Sequence, residues 1–293
     1  MYKNRKILKM VNWYVLLISG AALIFFVAFA CIAPDAFSRA ADTALAFVLK
    51  YFTWFITLVA FSAIIFCLWA GFSKYGKIRL GGPEAVPRIN KFVWFAIALT
   101  SGIAVGINYY GVYEPIQFIY NPPPFLDAAP LSSAAVFGAL KYTFLHWCIH
   151  PYSIYTAAGL SVVFLIYNSK KDYRVCTALY PLAGDKIYGA AGNAVDALVI
   201  FAIIGGIATS LGFATLQIAR GFDIIMGFTS NLYSWVVIIA VITLFYTLSS
   251  ISGLHRGITY ISNLNTVLYF FVLVFAFIAV DPVGVTELTI TAV

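Results

Sequence analysis

Seven apolar runs, each about 20 residues long, the length a helix needs to cross a hydrocarbon core of about 30 Å, constrain this chain more than any other feature. They centre near Leu23, Phe61, Ile103, Leu160, Ile204, Ile239 and Leu273. A backbone in lipid must satisfy its own N–H and C=O groups, so runs of this kind read as transmembrane helices. Composition leaves no soluble domain beside them: 62% of the 293 residues are hydrophobic and 10% are charged, against roughly half and a quarter in soluble domains. The expected fold class is all-α, a polytopic membrane protein. The first run lacks an A-x-A cleavage pattern with a mature polar domain behind it, and further spans follow at once, so it reads as an uncleaved first helix.

Basic residues orient the spans, because Lys and Arg near helix ends are retained on the cytoplasmic side. With the N-terminus inside, the inside segments hold Lys3, Arg5, Lys6 and Lys9; Lys74, Lys77, Arg79, Arg88 and Lys91; Lys170, Lys171, Arg174 and Lys186; and Arg256, fourteen of the 18 in all. Arg39, Lys50, Lys141 and Arg220 fall outside. The net charge of +7 is thus a topology signal, and no nucleic-acid partner is called for. The chain is expected in the cell membrane, multi-pass, with its N-terminus cytoplasmic. Four segments follow: residues 1–72 with helices one and two, a basic cytoplasmic linker over 73–91, helices three to seven over 92–281, and a short extracytoplasmic tail over 282–293. Gly81, Gly82, Pro83 and Pro87 break any helix in the linker.

The third span carries Thr100, Ser101, Gly102, Ala104, Gly106 and Asn108, then Gly111 and Glu114-Pro115. Two readings stay open: an irregular helix lining a site, since freed backbone groups are tolerated only beside protein or water, or a small-residue face for another helix. Spacing alone favours the second. Glu114 either marks a pathway, because ionisable groups at membrane depth are costly, or braces the loop that begins at Asn121. The small stretch Gly205, Gly206, Ala208, Thr209, Ser210 and Gly212 on the fifth span either packs tightly against the third span or offers oxygens to an ion, and packing is the plainer reading.

On the fourth span, Trp147, Tyr152 and Tyr155 fall within an arc of roughly 140° at about 100° per residue, and His146 and His150 lie on the adjoining face. Pro151 has no N–H and so frees the carbonyl of Trp147. Convergent aromatic faces are the chemistry that holds a trimethylammonium group, worth up to about 2 kcal/mol or more when desolvated. Aromatic anchoring in the membrane is the plainer account of such rings. His146 and His150 have i,i+4 spacing, but Cys148 points away from both and Trp147 stands where a zinc-peptidase helix needs Glu. A third ligand is missing as well, so no metal site is expected, and both histidines should bond to neighbouring helices. Cys31, Cys67, Cys148 and Cys176 lack disulfide or zinc spacing. No cofactor is implied.

Five ordered stretches carry a resemblance: SGIAVGINYYGVYEP (101–115), FLHWCIHPYSIYTAAGL (144–160), LYPLAGDKIYGAAGNAVD (179–196), GIATSLGFATLQI (206–218) and SGLHRGITYISNLN (252–265). Together they resemble the betaine/choline/carnitine transporter family, from about residue 10 to the end. The resemblance implies an inverted-repeat (LeuT-like) transporter fold of twelve helices, with the first five-helix repeat present here and the second absent. It implies an aromatic box for a quaternary-ammonium solute, with Trp147, Tyr152 and Tyr155 on the fourth helix and Gly102, Ala104 and Gly106 alongside on the third. It also implies a homo-oligomer, a trimer, in the lipid bilayer.

Departures from the family pattern sharpen these expectations. Tyr152 stands where many members have Trp, and Ala104 lies in a stretch richer in glycine in sodium-coupled betaine carriers. Ile203 and Ile207 occupy positions where sodium-coupled members resemble one another in placing threonine hydroxyls. A branched alkyl group offers no oxygen to a hard cation, which argues against one sodium site and leaves proton coupling or exchange open. The expected function is secondary transport of a betaine-, choline- or carnitine-like solute by alternating access, with this chain, as the N-terminal part, inactive alone. The alternative is a non-transporting membrane subunit that associates with a full-length carrier. An enzyme is not expected, for the chain has no G-x-S-x-G, no H-E-x-x-H and no intramembrane carboxylate pair.

Overall fold

The computed structural model describes residues 12–103, 105–253 and 257–292. Lys3, Arg5, Lys6, Lys9 and Arg256, counted above as cytoplasmic, and Ala104, read as part of the site, lie outside the described residues. The helices are α1 (Trp13–Ile32), α2 (Pro34–Phe72), α3 (Lys91–Gly102), α4 (Val105–Tyr120), α5 (Ser133–Trp147), α6 (Ile149–Tyr167), α7 (Ala190–Met226), α8 (Leu232–Ser252), α9 (Thr259–Ala279) and α10 (Pro282–Ala292). Among the described residues there is no β-strand. Six helical stretches are long and apolar enough to cross a membrane, with α5 and α6 counting as one of 35 residues. A bend of 55° joins α3 and α4 into a seventh. The chain is a polytopic all-α membrane protein, and the seven apolar runs correspond to these seven stretches.

Helix starts are written in the sequence by side chains that accept otherwise unpaired first-turn N–H groups. Asn90 accepts from Val93 at 2.8 Å and Ser132 from Ala135 at 3.1 Å. Asn231 and Ser234 form a reciprocal capping box at α8. Pro34 opens α2 one residue after α1 ends, a position where its missing N–H costs nothing. In consequence α2 runs for 39 residues, about 58 Å at 1.5 Å per residue, much longer than the apolar run inside it. Pro282–Ala292, at the end of the chain, form α10, whose first turn is braced by Asp281 accepting from the Val283 N–H at 3.2 Å.

The chain divides into two compact units, Met1–Ala85 with His150–Ile207 and Val86–Ile149 with Ala208–Val293. In the first, Phe26 meets Phe201 at 5.1 Å, and Asn168 clasps the basic linker, accepting from the Gly81 N–H and donating to the Arg79 carbonyl, both at 3.0 Å. Gly81 and Gly82 turn there with φ of +93° and +103°, which side chains with a Cβ rarely adopt. Arg174 donates to Asp196 at 2.7 Å and to Asn193 at 2.8 Å, tying the α6–α7 loop to the start of α7. In the second unit, α3 lies along α9, with Thr100 bonded to Ser262 at 3.0 Å and Phe95 stacked near Phe270. Also in this unit, α4 and α5 form an antiparallel hairpin, and the close approach is made possible by the fully buried Ala135 and Ala139 of α5.

Candidate functional site

One stripe of α4 and the last turn of α5 build the site. Gly106, Tyr110, Glu114 and Phe118 recur every fourth residue, so a helix places them in a row on one face. Opposite them, in the second unit, stand Tyr142, His146 and Trp147 of α5. Phe118 meets Tyr142 and His146 edge to face, each at 6.3 Å between ring centres. One turn along, the Glu114 carboxylate takes both neighbours: Oε1 pairs with His146 Nδ1, and Oε2 accepts from the Trp147 indole Nε1–H at 2.9 Å. A further turn brings Tyr110 nearly parallel to Trp147, 6.0 Å between centres and 19° between planes. A Cβ on Gly106 would lie 3.8 Å from the far edge of the indole, at Cη2.

Trp147 is therefore fixed on three sides, by Glu114 at its N–H, Tyr110 along its ring and Gly106 at its rim. Tyr110 and Tyr109 both reach Phe213 of α7, at 5.5 and 5.1 Å, which extends the aromatic surface within the same unit. The side chain of Glu114 is only 13% exposed, while that of His146 is 48% exposed. The carboxylate is thus the enclosed partner, and charge-assisted bonds to two donors compensate its lost hydration. His146 spends Nδ1 on Glu114, in keeping with the expectation that it bonds a neighbouring helix. Glu114 braces α5, and not the loop that begins at Asn121.

Both helix breaks border this site. Gly102 ends α3, where the N–H of Ile103 still reaches the Leu99 carbonyl at 2.8 Å, and Gly106 stands in the first turn of α4 after the 55° bend. The third span is bent here, as an irregular helix is, and at Gly106 it also admits the rim of Trp147 from the neighbouring helix. At Cys148 the backbone turns to φ −97°, ψ −104° between α5 and α6, three residues before Pro151, whose missing N–H leaves the Trp147 carbonyl without its helical donor.

Of the residues singled out in the sequence, Trp147 and Gly106 are brought together, and Gly102 lies on the other side of the α3–α4 bend. Ala104 is outside the described residues. Tyr152 and Tyr155 are carried by α6 in the first unit, three residues apart and thus on neighbouring positions of one helix face; Tyr155 is the more exposed, at 61%. Between them the carbonyl of Ser153 accepts from the Cys67 thiol of α2 at 3.4 Å. Tyr110 was missed in the sequence, although its four-residue spacing from Gly106 and Glu114 was there to be read. In the small stretch on α7, a Cβ added at Gly205, Gly206 or Gly212 would have open space within 4 Å.

The helices long and apolar enough to span, with a bent third span facing an anchored indole, define the class: an all-α polytopic membrane protein. The profile of the betaine/carnitine/choline family of transporters (BCCT) matches residues 14–293, and the chain belongs to that family. It is 35% identical over 263 residues to a probable glycine betaine transporter of Desulfitobacterium hafniense, covering 90% of this chain and 52% of the relative. Against the glycine betaine transporter OpuD of Bacillus subtilis, identity is 34%, covering 88% and 49%. An ectoine/hydroxyectoine transporter of Virgibacillus pantothenticus is 30% identical, over 91% and 50%. The chain spans about half the length of these relatives.

Proposed function

We propose that this chain supplies one wall of the substrate site of a secondary carrier for small quaternary-ammonium solutes of the glycine betaine, choline or carnitine kind, working by alternating access. The observation that carries the reading is the Trp147 indole, held by Glu114 and Tyr110 beside the bent α3–α4 helix. A methylated cation donates no strong hydrogen bond, and a fixed aromatic face attracts it through the ring quadrupole. On the family resemblance, Tyr152 and Tyr155 on α6, and Gly102, Ala104 and Gly106 along the third span, are proposed as substrate-binding residues too. Relatives described as glycine betaine transporters support the substrate class. Ile203 and Ile207 on α7 offer no oxygen to a sodium ion, and proton coupling or exchange is the coupling mode we favour.

Binding of glycine betaine, choline, carnitine and ectoine to the purified chain in lipid nanodiscs tests the proposal. A saturable affinity for the quaternary ammonium compounds is expected, with Trp147→Leu weakening it by up to about thirtyfold, the worth of one desolvated cation–π contact. An affinity that Trp147→Leu leaves untouched would remove the site. Uptake by cells expressing the chain, with and without sodium, reads the coupling; sodium-dependent uptake would overturn the reading of Ile203 and Ile207.

A further inference from the structure

We propose that Glu114 is a positioning residue for the Trp147 ring, and that its carboxylate also strengthens that ring as a binder of quaternary-ammonium ions. The second half rests on the reading of Trp147 as a wall of the cation site. The two oxygens of one enclosed carboxylate hold two consecutive residues of α5, His146 and Trp147. Held at one end only, an indole can turn about its side-chain bonds. With its N–H bonded at 2.9 Å and its ring against Tyr110, Trp147 has one orientation, which puts its rim over Gly106.

Hydrogen bonds polarise the groups they join, and an ionised acceptor does so more strongly than a neutral one. An indole N–H that donates to a carboxylate gains electron density in the ring, and the attraction of a cation grows with the negative potential of the ring face. Carboxylate and ring thus act on the ligand in the same sense, while a neutral amide at position 114 would keep the geometry and lose most of the polarisation.

The test uses the chain labelled with 15N at its tryptophan indoles in nanodiscs, with Trp147→Phe assigning the Trp147 Nε1–H resonance. That resonance is expected to move in Glu114→Gln and to move further, to the position of an unbonded indole, in Glu114→Leu. Affinities for tetramethylammonium and glycine betaine should fall in the same order, a few-fold for Glu114→Gln and up to about thirtyfold for Glu114→Leu. Glu114→Gln, isosteric and still an acceptor, serves as the folded control, checked by a monodisperse elution profile. A Trp147 resonance unchanged in Glu114→Leu would overturn the positioning role. Equal affinities of the unaltered chain and Glu114→Gln would overturn the polarising role. If the unaltered chain binds neither cation while its resonance responds to Glu114, positioning is supported, and the polarising role falls together with the cation site it rests on.

Discussion

Asp196 anchors the loop between α6 and α7 almost alone. One oxygen accepts from the Cys176 backbone N–H at 2.8 Å, the other from Arg174 at 2.7 Å, and Arg174 reaches on to Asn193, which also accepts from Asn12. Cys176 is fully buried, and burial first, then the neighbouring Asp196, pushes its thiol up to about 11. A raised thiol pKa keeps the protonated form over the whole range below it, so at pH 8 about one molecule in a thousand carries the reactive thiolate. A chain retaining Cys176 as its one cysteine should therefore resist maleimide at pH 8, and Asp196→Ala should speed labelling at least about tenfold by opening the loop and removing the negative neighbour. Rapid labelling of the single-cysteine chain with Asp196 intact would contradict this account. At this scale the sequence named Trp147, Glu114 and His146 correctly as unusual but left them unjoined. Spacing places residues on a helix face, whereas which face meets which is decided by a second helix 32 positions along the chain.

The helices themselves were legible wherever lipid dictates composition, and less so beyond it. Hydropathy located every membrane-crossing stretch, yet α2 and α10 extend into segments too polar to register, because helix formation there depends on capping and propensity. Pro34 and Pro282 stand at the first positions of their helices, which is where proline fits best. Glycine carries opposite meanings in one element: on α7 a Cβ at Gly192 would come 1.7 Å from the Ile187 carbonyl oxygen, whereas at Gly212 it would meet nothing within 4 Å. Gly192→Ala is expected to push the α6–α7 loop off its helix, lowering the apparent melting temperature in detergent by several degrees for a loss of about 2–3 kcal/mol. Gly212→Ala should stabilise or leave it unchanged, by less than about 1 kcal/mol. Similar melting temperatures for the two variants would show that the loop does not dock on α7 in solution.

For the molecule as a whole, the charge pattern predicts an orientation that fusion reporters can read. A fluorescent protein joined after Gly82 should fold and fluoresce in the cytoplasm, and alkaline phosphatase joined after Asp127 should be active outside; the reverse pattern would invert the topology. The family was legible because five short stretches keep their order along the chain, while the partition into two units was not, since residues 150–207 join residues 1–85 across the intervening spans. The Glu114 clasp has a last consequence, for biogenesis. An ionisable side chain in a spanning helix is costly on insertion, and Glu114 leaves the ribosome 32 residues ahead of His146. At about 5–20 residues per second, α4 must wait some seconds for the donors that neutralise it, so the natural parcel delivered to the bilayer is the α4–α5 hairpin rather than either helix alone.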